Sequence, residues 1–198
     1  MQHNCYWAGA SAISLEETHH RQSFDLDFHT RKALFDVRPL LTELQMAFPR
    51  RFEILTSPDE IGSGFKGVLV LSEREKVTIE VLSNYQDVPA GELVDSRLAS
   101  GMKRISLRRF LADKIQCLAE RSEARDLVDF LAVLRHDSGL TGFAKEIVAS
   151  QDVLILSERL LSWSDQAIHD DLAIYEDIDC RDAVEARDLI LAWIKADT

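Results

Sequence analysis

The sequence is short of several things. It holds three cysteines, four prolines and eight glycines in 198 residues. Cys5, Cys117 and Cys180 are odd in number, far apart and without a CxxC pair. That argues against a disulfide framework or a thiolate zinc site and for idle thiols in a reducing compartment, the cytoplasm. No apolar run approaches the roughly 20 residues that span a bilayer, so no membrane partner is expected. Met1 to Ala8 lacks the basic-then-apolar order of a signal peptide. No internal repeat and no long polar tract is present, so most of the chain is expected to be ordered. Basic residues are scarce as well: 23 Lys and Arg stand against 34 Asp and Glu, a formal net charge of −11. Taken whole, that argues against a protein that coats nucleic acid through bulk charge.

The hydrophobic content, 46%, suffices for one domain with a real core, or for one domain with a helical extension. The basic residues are also unevenly spread. Arg97, Lys103, Arg104, Arg108, Arg109, Lys114, Arg121 and Arg125 are opposed locally only by Asp113, Glu120 and Glu123, whereas acids dominate beyond Glu146. A basic face and an acidic face, or two ordinary solvated helical surfaces, both fit this pattern.

The first third reads as α/β. Ser11 to Thr18 has the apolar spacing of a helix, with Ser11 placed as its N-cap. Ser23 to His29 alternates, with Phe24, Leu26 and Phe28 on one face and Ser23, Asp25 and Asp27 on the other, which is the period of a strand. Thr30 is placed to cap a helix from about Arg31 to Ala47, striped by Leu34, Val37, Leu41, Leu44 and Phe48. Phe52 to Leu55, Gly67 to Leu71 and Lys76 to Leu82 read as strands, with Met102 to Leu107 as one more. From Arg108 the period turns helical. The expected organisation is thus an α+β chain: an α/β core over residues 1–107 and a helical part over 108–198, with a break at Ser138-Gly139.

Three groups of residues carry chemistry. Asp25 and Asp27 lie side by side on one strand face. Adjacent carboxylates repel, and a hard divalent cation such as Mg²⁺ resolves the repulsion by taking oxygen ligands; a solvated acidic face is the plainer alternative. Glu80 is the lone carboxylate in the apolar run Val77 to Leu82. It is either a third carboxylate beside the pair or the solvent-facing residue of an edge strand. Gly9-Ala10-Ser11 precedes the first helix, where a glycine permits close backbone approach and a serine adds a hydroxyl. Lys114 falls on the apolar stripe of Phe110, Leu111, Cys117 and Leu118, either snorkelling or reaching a phosphate. Asp126, twelve residues on, either pairs with Lys114 or serves the start of a new helix.

Taken in order, these pieces resemble the AbiEii-like nucleotidyltransferase toxin family. Gly9-Ala10-Ser11-Ala12 with Leu15 is similar to its glycine-rich turn, with Ala10 in place of the second glycine. His20-Arg21-Gln22-Ser23-Phe24-Asp25-Leu26-Asp27-Phe28-His29-Thr30 is similar to its central strand. Leu111-Ala112-Asp113-Lys114, Arg121 and Arg125-Asp126-Leu127-Val128-Asp129-Phe130 are similar to its helical segment. The resemblance runs from Trp7 to Leu134. It implies a nucleotidyltransferase-type mixed β-sheet core with helices and a helical C-terminal subdomain whose Lys114 and Asp126 face the cleft. It also implies a Mg²⁺ or Mn²⁺ site on Asp25, Asp27 and Glu80, triphosphate binding by Gly9 and Ser11, and catalytic roles for Asp25, Asp27, Lys114 and Asp126. The reaction implied is transfer of a nucleoside monophosphate from a nucleoside triphosphate to an acceptor hydroxyl, on tRNA or other RNA, under the control of a cognate antitoxin. Transfer to a small molecule of the aminoglycoside type, and a catalytically silent nucleotide- or protein-binding module, are the alternatives.

Overall fold

Cys5-Tyr6-Trp7-Ala8 is buried at every position and forms strand β1. Residues of both parities are buried, so both faces of the strand are covered and the sequence shows no alternation there. It is an interior strand of a seven-stranded mixed sheet described by a computed structural model, which covers residues 1–23, 25–121 and 123–196. The chain divides into two compact units, the first Met1–Glu16 with Gln22–Ser106, the second Glu17–Arg21 with Leu107–Thr198.

In the first unit, β1 (Cys5–Ala8) leads into α1 (Gly9–Ile13). Then come β2 (Asp25–Ala33), α2 (Arg38–Ala47), β3 (Phe52–Thr56), β4 (Gly64–Val70), β5 (Lys76–Asn84), β6 (Leu93–Asp95) and β7 (Lys103–Ile105). The sheet order is β3-β4-β5-β2-β1-β7-β6. The β2–β5 and β1–β7 pairs are parallel and the others antiparallel. One sheet face carries Phe65, Leu69, Ile79 and Val81, closed by Val37, Leu40 and Leu44 of the α2 segment; Leu26 and Phe28 pack at its margin. Phe24, which the sequence pattern puts on that face, lies outside the described residues.

The helix expected from Arg31 is shorter than its apolar stripe suggests. Thr30 is buried in β2 rather than capping a helix; its hydroxyl donates to the Lys32 carbonyl and accepts from the Asn84 amide, tying β2 to β5. Leu34, counted in the stripe, is 71% exposed at a positive φ of 49°, so the chain turns there and α2 begins at Arg38, with a proline in its first turn. Ser11 likewise does not cap a helix. The helix begins at Gly9, and Ser14–Thr18 continues it as a wider π turn.

The second unit is helical: α3 (Leu107–Glu120), α4 (Ala124–His136), α5 (Thr141–Ser150), α6 (Val153–Ser162), α7 (Asp165–Leu172) and α8 (Cys180–Ala196). Asp152 and Ser164 cap α6 and α7 through their side chains. Helix α4 is buried over most of its length, and Phe130 meets Trp193 of α8 edge to face at 5.9 Å. Among the described residues no helix is long and apolar enough to cross a membrane.

Candidate active site

The two carboxylates of β2 are placed by pleating. Leu26 and Phe28 turn to the core, so Asp25 and Asp27 share the opposite face and are half-buried there. The strands on either side extend the row. Asp27 is in register with Glu80 of β5 and with Ala8 of β1, and Glu80 is in register with Lys66 of β4. Glu80 therefore lies next to Asp27 on an interior strand, and the edge-strand alternative is overturned. Its Oε2 is 3.6 Å from the Lys66 ammonium, with the two side chains 35% and 38% exposed. His29 follows Asp27 on the same face, with its ring edge-on to Tyr6 at 5.8 Å.

Gly9 sits where β1 ends, at φ +68°, in the left-handed region that favours glycine. A Cβ built on it would lie 2.0 Å from Asp27 Oδ2. The missing side chain thus makes room for a carboxylate of the chain itself. Ser11 is fully buried, and its Oγ accepts the Trp7 indole N–H at 2.9 Å. It braces the turn against β1 instead of standing in solvent.

The carboxylates of this face offer a hard divalent ion oxygen ligands from neighbouring strands, with Gly9 cradling one of them. The three carboxylates are not drawn together, however. Among the described residues no group of three or more His, Cys, Asp or Glu side chains is disposed to hold a metal ion.

Lys114 and Asp126 meet inside the helical unit. The Lys114 ammonium is 2.6 Å from Asp126 Oδ1 and 2.7 Å from Asp129 Oδ2, and both aspartates are fully buried. Burial opposes the charge on Lys114, but Asp129 and Asp126 outweigh it and hold its pKa above the ordinary lysine value. Asp126 also accepts from Arg121 at 2.9 Å. Asp129 takes Arg21 Nε at 2.7 Å and Nη2 at 3.0 Å, and lies 2.7 Å from His20 Nε2. Burial pushes the Asp129 carboxyl up, and Lys114, His20 and Arg21 overcome that and hold it well below the usual carboxylate range. The snorkelling alternative for Lys114 is overturned: its charged end is buried with partners.

Sequence reasoning misses four residues of these networks. Lys66 is a lone cation in an apolar strand, the same signal that drew attention to Glu80. His20 and Arg21 belong to the central strand motif, and nothing in their spacing points to Asp129. Glu16 is the fourth: burial raises its pKa, yet Ser96, the amides of Arg97 and Leu98, and Arg104 lower it further, to about 2. The apparent basic stretch is largely self-neutralised. Arg97 and Arg104 face Glu16, Lys103 faces Asp95, Arg109 faces Asp113, and Arg121 and Arg125 face Glu123. Arg108 lies over the Phe143 ring at 3.9 Å.

The family described as Nucleotidyl transferase AbiEii toxin, Type IV TA system, matches residues 2–183. The crystal structure of JHP933 from Helicobacter pylori is similar with a TM-score of 0.58 at 20% identity, covering 98% of this chain and 84% of that one. An H. pylori crystal structure named for the nucleotidyltransferases is similar with a TM-score of 0.60 at 18% identity, covering 98% of this chain and 87% of that one. At these identities the likeness establishes the α+β fold with its C-terminal helices. No curated protein sequence matches the chain.

Proposed function

The chain belongs to the AbiEii nucleotidyl transferase family, and we propose that it moves a nucleoside monophosphate from a nucleoside triphosphate to a hydroxyl of tRNA or another RNA. The observation that carries this reading is the row Glu80, Asp27, Ala8 across three adjacent strands, with Asp25 on the same face and Gly9 shaped around Asp27. Asp25, Asp27 and Glu80 are the residues to hold Mg²⁺ or Mn²⁺, which supplies Lewis-acid neutralisation of phosphate oxygens. The acceptor hydroxyl gives its proton to solvent as its oxygen attacks the α-phosphorus, the bond to the bridging oxygen breaks, and pyrophosphate leaves. Gly9 and Ser11 form the triphosphate turn in this reading, with Ser11 acting through its brace to Trp7. Lys114 keeps the catalytic role that the family resemblance gives it. Asp126, committed to Lys114 and Arg121, holds that lysine in place. The setting is the cytoplasm, and the family's description as a toxin suggests a cognate antitoxin.

One observation favours a second reading, transfer to a cationic small molecule of the aminoglycoside type. The stretch Arg97 to Arg125, expected to meet RNA, is occupied by the chain's own carboxylates, while the chain as a whole carries −11.

The test is incubation with Mg²⁺, each α-labelled nucleoside triphosphate, and either total tRNA or an aminoglycoside panel. Label on tRNA is the expected result. Label on the aminoglycosides alone would replace the first reading with the second. Nucleotide binding with no transfer to either would leave a silent binding module.

A further inference from the structure

Lys66 stands on the carboxylate face without a part in the proposed reaction. It is the only cation on β4, whose neighbouring residues Phe65, Gly67 and Leu69 turn to the core or pack against Phe52. Its cross-strand partner is Glu80, and Glu80's other neighbour in the row is Asp27. One lysine thus adjoins the row of Asp25, Asp27 and Glu80. An ordinary surface ion pair of this exposure is worth little. Its position matters more than its strength. The Lys66 ammonium lies 3.6 Å from the carboxylate that would be the third ligand.

Resting on the reading above, we propose that Lys66 is a positioning residue that exchanges partners. In the free protein it holds Glu80 away from Asp25 and Asp27. When Glu80 serves a divalent cation, Lys66 is released on the same face and its ammonium takes a phosphate oxygen of the nucleotide. An ammonium suits this exchange, being a compact point charge with three donors on a flexible stem. No covalent step is involved; one ion pair is replaced by another.

The two halves of the exchange have opposite signs, which makes them testable apart from turnover. Lys66→Met removes both the competitor for Glu80 and a positive charge beside the cation, so Mn²⁺ alone is expected to bind about tenfold tighter. The same variant lacks the phosphate partner. At saturating Mn²⁺, the α,β-methylene analogues of the four ribonucleoside triphosphates are expected to bind about tenfold more weakly. Lys66→Arg keeps the charge and is expected to restore both affinities in the wild-type direction. Free Mn²⁺ is read by electron paramagnetic resonance and nucleotide binding by calorimetry, with Asp27→Asn as the control.

Unchanged or weaker Mn²⁺ binding in Lys66→Met overturns the inference while leaving the carboxylate site intact. Tighter Mn²⁺ binding with unchanged nucleotide affinity overturns its second half. Wild-type Mn²⁺ binding that Asp27→Asn does not reduce overturns the underlying reading, and the inference falls with it.

Discussion

Asp129→Ala is expected to lower the unfolding free energy by about 3–5 kcal/mol, the usual cost of leaving buried charges without their counter-ion. Asp129 is fully buried and receives Lys114, His20 and Arg21, of which Lys114 and Arg21 are themselves buried. Deleting the carboxylate leaves two cations in a low-dielectric interior with their compensation cut. A domain of this size has only about 5–15 kcal/mol of net stability, so the loss is a large share of the whole. Urea unfolding of the variant against wild type measures it. The pH dependence has a definite sign. The folded-state pKa of Asp129 is held well below the carboxylate range, so its contribution is present above the unfolded value near 4. It is lost only as the pH falls through the depressed folded value. The gap between variant and wild type should therefore persist at neutral pH and shrink in strong acid.

Asp27→Asn is expected to do the reverse: leave stability within about 1 kcal/mol of wild type and abolish transfer. Asparagine keeps the shape that fits against Gly9, and removing one negative charge from the row relieves repulsion with Asp25 and Glu80. In the proposed reading, however, the substitution removes an anionic ligand of the divalent cation. A fall of about 10³-fold or more in transfer rate is expected, equivalent to about 4 kcal/mol of transition-state stabilisation. Single-turnover transfer of label by protein with a matched unfolding midpoint measures it. The contrast between Asp129 and Asp27 separates a carboxylate that holds the fold from one that serves chemistry.

How much of this could be read from residues alone follows from where the partners lie in the chain. Strand β2 was legible because its two faces have different chemistry, Asp25 and Asp27 against Leu26 and Phe28. Helices α3 and α4 were legible from their apolar period, and the Lys114–Asp126 pair from their spacing. Strand β1 was not, because a strand covered on both faces has no alternation to read. Thr30 was misread because a threonine serves a cap or a strand equally well, and the Asn84 amide that decides the matter is 54 residues away. Arg21 and Asp129 are separated by 108 residues, and Glu16 and Arg104 by 88. Those pairings depend on tertiary register, which is why the basic stretch looked free and Lys66 went unnoticed beside Glu80. The family resemblance supplied the roles that spacing left open.

The central claim is spatial: the face bearing Asp25, Asp27 and Glu80 is where the divalent cation acts. Paramagnetic broadening by substoichiometric Mn²⁺ in the amide spectrum of the isotope-labelled protein tests it most directly. The account predicts that the signals of Ala8, Gly9, Asp25 to Asp27, Lys66 and Glu80 broaden first, and that Asp27→Asn suppresses the effect. Broadening centred instead on the acidic helices α7 and α8, with the β2 and β5 signals untouched, would contradict it.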